Sequence, residues 1–279
     1  MKQNRTLLTL CISLASLIGF SSVSASSVLP EGESYLSTAI YFQTFDEFYA
    51  GGNRGGTPGG KDIDRTHFRL NAEWGLGDRL GVDLNLGYFD TSSGVAGPFS
   101  VGSQSGLADS YIGLKYAIST TEESQFNSAL RIGATIPGNY ETGQLSAPGD
   151  DAFGVDVKFM ASHDLGSGAI EAYAGYWAYE GAVPETMGVG VTLKKYLPHN
   201  TWLETGYHYF DANGRLNIGG PGFTGANLPQ VSEQGQRWEV AAGFGDEAKR
   251  YYRISYSEIF DGRNVGREET FGISISFPF

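Results

Sequence analysis

From Thr66 onward the chain alternates apolar and polar residues with a period of two. Phe68, Leu70, Ala72 and Trp74 share one face, with His67, Arg69, Asn71 and Glu73 on the other. After the turn Gly77-Asp78-Arg79 the alternation resumes, Val82, Leu84, Leu86 and Tyr88 against Asp83, Asn85 and Gly87. This is the pattern of a hairpin with a single apolar face. It recurs at Ile112 to Ile118, Phe126 to Ile136, Phe153 to Ala161, Ile170 to Ala178, Met187 to Leu193, Leu203 to Tyr209, Trp238 to Phe244 and Tyr252 to Tyr256. Ser34 to Phe45 opens the series and Phe271 to Phe279 closes it, so the chain is expected to form about twelve strands of roughly ten residues each, the length of a tilted strand crossing a bilayer.

The connections alternate in length. Segments 46–63, 90–106, 138–151, 211–235 and 259–267 are long or Gly-rich, and compact ones fall around Gly77, Thr120, Asp164, Pro198 and Glu247. Only the short connection around Gly181 breaks the rule. Long loops at one end and short turns at the other are the habit of transmembrane barrels. The reading is therefore an all-β fold, a transmembrane antiparallel up-and-down β-barrel of about twelve strands, with both termini in the periplasm. A soluble β-sandwich also alternates, but it would not repeat one apolar face on every strand.

The termini agree with this reading. The closing segment places Phe271, Ile273, Ile275, Phe277 and Phe279 on one face, and a final strand ending in Phe resembles the C-terminal assembly signal of bacterial outer-membrane barrels. Phe279 is thus the expected assembly signal, read by the barrel-assembly machinery. At the other end Lys2 and Arg5 precede the apolar run Leu7 to Phe20, and Val23 and Ala25 stand at the minus-three and minus-one positions of a cleavage site. Residues 1–25 read as a secretory signal peptide and 26–279 as the barrel, exported through the periplasm to the outer membrane. The apolar run is shorter than the roughly 20 residues of a spanning helix. Cys11, the one cysteine, leaves with the signal.

Composition narrows the partners. With Lys2 and Arg5 removed, 17 Lys and Arg stand against 31 Asp and Glu, a net charge of −14, which argues against nucleic acid. Forty glycines with 17 Phe and 16 Tyr suit short strands, close turns and aromatic belts in contact with outer-membrane lipid.

If the apolar positions face lipid, the lumen receives Arg69, Lys115, Arg131, Lys158, Lys194, Arg237 and Arg253 together with Glu73, Asp83, Asp109, Asp156, Glu171, Glu204 and Glu239. The signs nearly balance, the composition of a wall stiffened by ion pairs. Tyr41, Phe89, Tyr111, Trp177, Tyr179 and Phe210 fall in the same inward phase near the outer strand ends. They could form a constriction suited to flat or apolar solutes, or pack beneath the loops. Twelve strands lie between filled small barrels and wide porins, so any passage is expected to be narrow.

The stretch GLADSYIGLKYAI, Gly106 to Ile118, resembles the phenol-degradation MetA-pathway family of outer-membrane proteins, and the blocks Pro137 to Phe159 and Leu203 to Gly214 are similar to it too. The resemblance implies a barrel linked with catabolism of aromatic or other hydrophobic compounds, and it supplies no catalytic residue. Enzyme motifs do not appear: His67 and His208 point inward, His199 sits in a turn, and His163 faces outward at the periplasmic end, so no outward histidine meets a serine near the outer leaflet. Asp150 and Asp151 form only an adjacent acidic pair, and neither a metal nor another cofactor is expected. The expected function is a passive narrow channel for small, hydrophobic or aromatic solutes; the alternative is a non-conducting structural or adhesion barrel.

Overall fold

The structure, a computed structural model, describes residues 27–57, 62–93, 103–120, 125–142, 147–223 and 225–279. The expected leader and its cleavage site lie outside these residues. Among the described residues there are fourteen strands: β1 Ser34–Phe45, β2 Glu47–Ala50, β3 Asn53–Gly56, β4 Ile63–Gly77, β5 Leu80–Ser93, β6 Gln104–Ser119, β7 Phe126–Ile136, β8 Gly154–Asp164, β9 Gly168–Tyr179, β10 Thr186–Leu197, β11 Thr201–Ala212, β12 Gln234–Gly245, β13 Tyr251–Arg263 and β14 Glu269–Pro278. All but β2 and β3 form one closed barrel in which each strand pairs with its chain neighbours. The terminal strands seal it: β1 runs antiparallel to β14 from Tyr35↔Pro278 to Thr44↔Glu269. Closure leaves no unpaired edge, which is what permits a sheet to stand in hydrocarbon.

The alternation read from the sequence becomes two faces of one wall. Outward side chains are exposed apolar residues, among them Phe42, Phe68, Leu86, Ile112, Ile132, Val155, Val189, Leu203, Ile254 and Ile273. Inward neighbours are buried, Arg69, Lys115, Asp156, Lys158, Arg237 and Glu239 included. A water-soluble protein does not wear so continuous an apolar surface; lipid is its natural solvent. Exposed Tyr88, Tyr116, Tyr176, Tyr196 and Tyr207 join this outward face, amphipathic rings of the kind that anchor at membrane interfaces.

Turns at the short end are tight. Between β10 and β11, His199 and Asn200 both take left-handed backbone angles (φ 61 and 53), and the Thr201 hydroxyl donates to the Pro198 carbonyl at 2.7 Å. The short connection at Gly181 is real: Trp177↔Thr186 is the last pair before it, and Gly181 supplies the positive φ of 72 that the turn needs.

Three connections differ from the reading above. Segment 46–63 contains the β2–β3 hairpin. The supposed connection 259–267 shrinks, because β13 continues to Arg263. Strand β6 starts at Gln104, so its first turns lie within what looked like loop. In each case the segment packs on other loops rather than on lipid, Phe48 in one apolar cluster, Ile259 in another and Gln104 against Glu141, so no single outward apolar phase marks it.

The long-loop end has its own core. Phe45, Phe48, Ile63, Ile218, Phe223, Leu228 and Val231 cluster together and tie the β2–β3 hairpin to the 213–233 connection. Asn264, fully buried at φ 54, knots these segments. Its Oδ1 accepts from the Gly51 and Ile218 amides, while its Nδ2 donates to the Ser232 carbonyl and to Asn217 Oδ1.

Candidate solute pathway

Strand phase fixes which side chains enter the lumen, and strand register fixes their neighbours. Lys115, Arg131 and Lys158 lie directly opposite one another on β6, β7 and β8. Three like charges in a row repel unless carboxylates intervene. Glu73 accepts from Lys115 Nζ at 3.2 Å, and Asp83 sits 3.1 Å from the Arg131 guanidinium. Arg131 also lies 3.6 Å above the Tyr111 ring. Lys158 Nζ instead rests 4.1 Å from the centre of the Tyr173 ring. Across the barrel, Glu204 bridges Lys194 at 3.1 Å and Arg253 at 2.9 Å, and Arg253 also binds Glu239. Arg237 meets Glu268 at 3.0 Å, and Arg69 donates to Asn85 Oδ1 at 2.8 Å. Glu171 is half-buried on the inward phase of β9.

Aromatic side chains occupy the same wall in an unexpected posture. The Trp177 ring lies over Gly175 and Gly188, Tyr111 over Gly113 and Gly133, Tyr179 over Gly154, Phe210 over Gly235 and Tyr41 over Gly272; a Cβ at any of these glycines would press on the ring. Each glycine belongs to the same strand or an adjacent one. A missing Cβ at each of these positions is what lets the ring pack close against the wall.

The six expected constriction aromatics are not one ring. Tyr111, Trp177 and Tyr179 share a cavity with Glu73, Asp83, Asp109, Lys115, Arg131 and Lys158, which leaves about 90 Å³ for the centres of water molecules. That is room for a few waters. Phe89, fully buried, sits between His67 and Tyr140, edge-on to the latter at 5.7 Å. Phe210 packs under the loops with Tyr49, Ile259 and Val265, and Tyr41 lies on the wall between Gly272 and the His67 row.

Both ends of the lumen are narrowed by chain. At the long-loop end, residues on either side of the connection after β7 reach inward: Asp109 Oδ1 accepts from the Tyr140 hydroxyl at 2.6 Å and the Gly138 amide at 3.0 Å, and Arg65, buried, donates to the Ala147 carbonyl at 2.8 Å. Burial and the Asp109 carboxylate push the Tyr140 phenol well up, so it stays a donor. At the short-turn end Ser27 to Pro30 folds inside the barrel: Lys115 Nζ reaches the Ser27 carbonyl at 3.4 Å, and only a glycine at 75 leaves room for the Leu29 and Pro30 carbonyls.

Sequence reasoning missed Glu268, Tyr140, Tyr173 and Arg65. Tyr173 shares the inward phase of Glu171 and Trp177 and was legible; Glu268 and Tyr140 sit in connections, where no period marks direction.

A closed twelve-stranded barrel with a lipid-compatible exterior and an ion-paired, ring-lined interior defines an outer-membrane β-barrel protein. The sequence profile described as "Putative MetA-pathway of phenol degradation" matches residues 46–183. The family read from Gly106 to Ile118 and Pro137 to Phe159 is borne out: residues 46–183 belong to that family, while the Leu203 to Gly214 block falls outside the match. Among solved structures, the COG4313 outer membrane channel from Pseudomonas putida F1 superposes with a TM-score of 0.74 at 16% identity, covering 91% of this chain and 98% of that one. The NanC porin superposes at 0.55 with 10% identity, covering 87% and 98%. At these identities the likeness is one of fold. No curated protein matches the chain.

Proposed function

We propose that this barrel is a passive, narrow channel for small solutes with flat or apolar rings. The observation that carries the reading is the seating of lumen aromatics on glycines, which puts rings on the inward wall where a flat solute can stack. The ion-paired charges keep the remaining wall polar and wet, which suits diffusion rather than storage. The similar Pseudomonas putida protein is an outer membrane channel, and that likeness supports a channel role. No step of chemistry is assigned to any residue. The long loops are taken to face outside and the short turns the periplasm, with outer-membrane lipid around the wall. Phe279, whose amide donates to the Ser34 carbonyl at 3.3 Å and whose ring meets Trp74 edge-on, is taken as the end read by the assembly machinery.

Purified protein in planar bilayers tests this directly. Small, steady unitary currents are expected, with uptake into loaded liposomes faster for benzyl alcohol than for glucose. A second reading, a non-conducting structural barrel, is favoured by one observation: chain enters the lumen at both ends. Absence of current, combined with equal exclusion of both solutes, would establish that reading instead.

A further inference from the structure

Two of the lumen cations, Arg69 and Lys158, make no ion pair among the described residues; Arg69 is held by Asn85 Oδ1 at 2.8 Å, and Lys158 is the one that belongs to the Lys115–Arg131–Lys158 row. Lys115, Arg131, Lys194, Arg237 and Arg253 each contact a carboxylate, whereas Lys158 makes no ion pair among the described residues and rests on the Tyr173 ring. Its buried strand neighbour Asp156 lies beside the Tyr111 hydroxyl, and the two make no ion pair. Opposite Lys158 on β9 stands Gly175, the residue between Tyr173 and Trp177. The cation is therefore registered against the gap between two inward rings. The outer edge of the Trp177 ring packs over Gly175 and Gly188, and Tyr173 stacks on His208 at 5.8 Å and 27°. Lys158 and Trp177 both line the central cavity, where Arg131 and Lys115 extend the positive row.

Resting on the channel reading, we infer that Lys158, Tyr173 and Trp177 form a lumen subsite for an aromatic acid, a flat ring carrying a carboxylate. The carboxylate accepts from Lys158 Nζ, which has donors to spare, and the ring stacks against Trp177 or the Tyr173 edge of the platform. A neutral aromatic gains only the stacking and an aliphatic acid only the charge-assisted bond. The two features together select a solute that carries both. Glu73 and Asp83 already neutralise the other two cations of the row, so within the row the anion has one seat.

Three probes separate the terms: benzoate with ring and charge, acetate with charge alone, benzyl alcohol with ring alone. Each is titrated against unitary chloride current in about 0.1 M salt, where surface charges are screened beyond roughly 10 Å and lumen charges less so. Benzoate should reduce the current at a concentration about tenfold lower than either other probe. Lys158→Gln should raise the benzoate concentration for half-block about tenfold, the factor that about 1.4 kcal/mol of charge-assisted bonding represents, and leave benzyl alcohol unchanged. Lys158→Arg should retain the preference, and the wild-type comparison decides the matter even if the glutamine variant fails to insert. Equal block by all three probes, or an unaltered benzoate titration in a folded Lys158→Gln barrel, would overturn the subsite while the channel reading stood. A wild-type barrel that carries no current would overturn both.

Discussion

At the scale of single residues, the lumen is built on two pairings: ring with glycine, and cation with carboxylate. The first can be tested by filling the seat. A Cβ at Gly133 would collide with the Tyr111 ring, so Gly133→Ala should drive that ring off the wall, at the roughly 1–3 kcal/mol of an overpacked site. Lower conductance is expected, and Tyr111→Ala added to the variant should restore it; a Gly133→Ala channel with normal current would mean the ring is not held as described. The second pairing is sharpest at Arg237 and Glu268, whose side chains are 7% and 0% exposed. Gln43 Nε2 and the Thr270 hydroxyl also donate to Glu268 Oε1, but neither supplies charge. Arg237→Ala should therefore cost about 3–5 kcal/mol, the range for one partner removed from a buried pair, visible as a lower temperature for loss of the compact electrophoretic form. Arg237→Ala with an unchanged transition would show that lumen water already solvates Glu268.

At the scale of elements, the strands were legible and the loops were not, for the same physical reason. Lipid admits only apolar side chains, so every crossing strand must write its phase into the sequence: Val155, Val157 and Phe159 facing out force Asp156 and Lys158 in. A connection has no such solvent to obey. Nothing in the order of residues 213–233 announces that Ile218, Phe223, Leu228 and Val231 would meet Phe48 from the β2–β3 hairpin, or that Asn264 would tie the two together. The lumen charges were legible by phase, but their partners came only with register, which is how Arg237 acquired Glu268. One loop group has a consequence in pH. Glu233, buried at the end of this connection, has its carboxyl held well above the ordinary value of 4.5 by desolvation and by the nearby charge of Asp150. The folded loop thus binds its proton more tightly than the unfolded one. Stability from this group is whole below about the ordinary value and declines as pH rises toward the raised one. Limited proteolysis of the inserted barrel should cut within 213–233 faster at pH 8 than at pH 5, and Glu233→Gln should remove that dependence. A Glu233→Gln loop as pH-sensitive as wild type would assign the effect elsewhere.

At the scale of the whole molecule, the asymmetry between the two ends is what turns a closed sheet into an oriented one. The chain enters at β1 and leaves at β14 on the short-turn side, and those two strands seal the barrel through ten consecutive registered pairs. On the proposed orientation, a barrel that closes from the periplasmic side keeps both terminal strands' short-turn ends there and sends the loops across. The tip of the 213–233 connection offers the place to test it, because Pro221 and Gly222 are exposed while the residues on either side anchor the loop in its apolar cluster. A short epitope inserted between Pro221 and Gly222 leaves those anchors in place and should be reached by antibody on intact cells. The same epitope after Glu247, in the exposed turn between β12 and β13, should be reached only once the outer membrane is permeabilised. Labelling at Glu247 and silence at Pro221 on intact cells would reverse the orientation. It would also place the Ser27 to Pro30 segment at the outer mouth, where it would meet an entering solute before any of the rings.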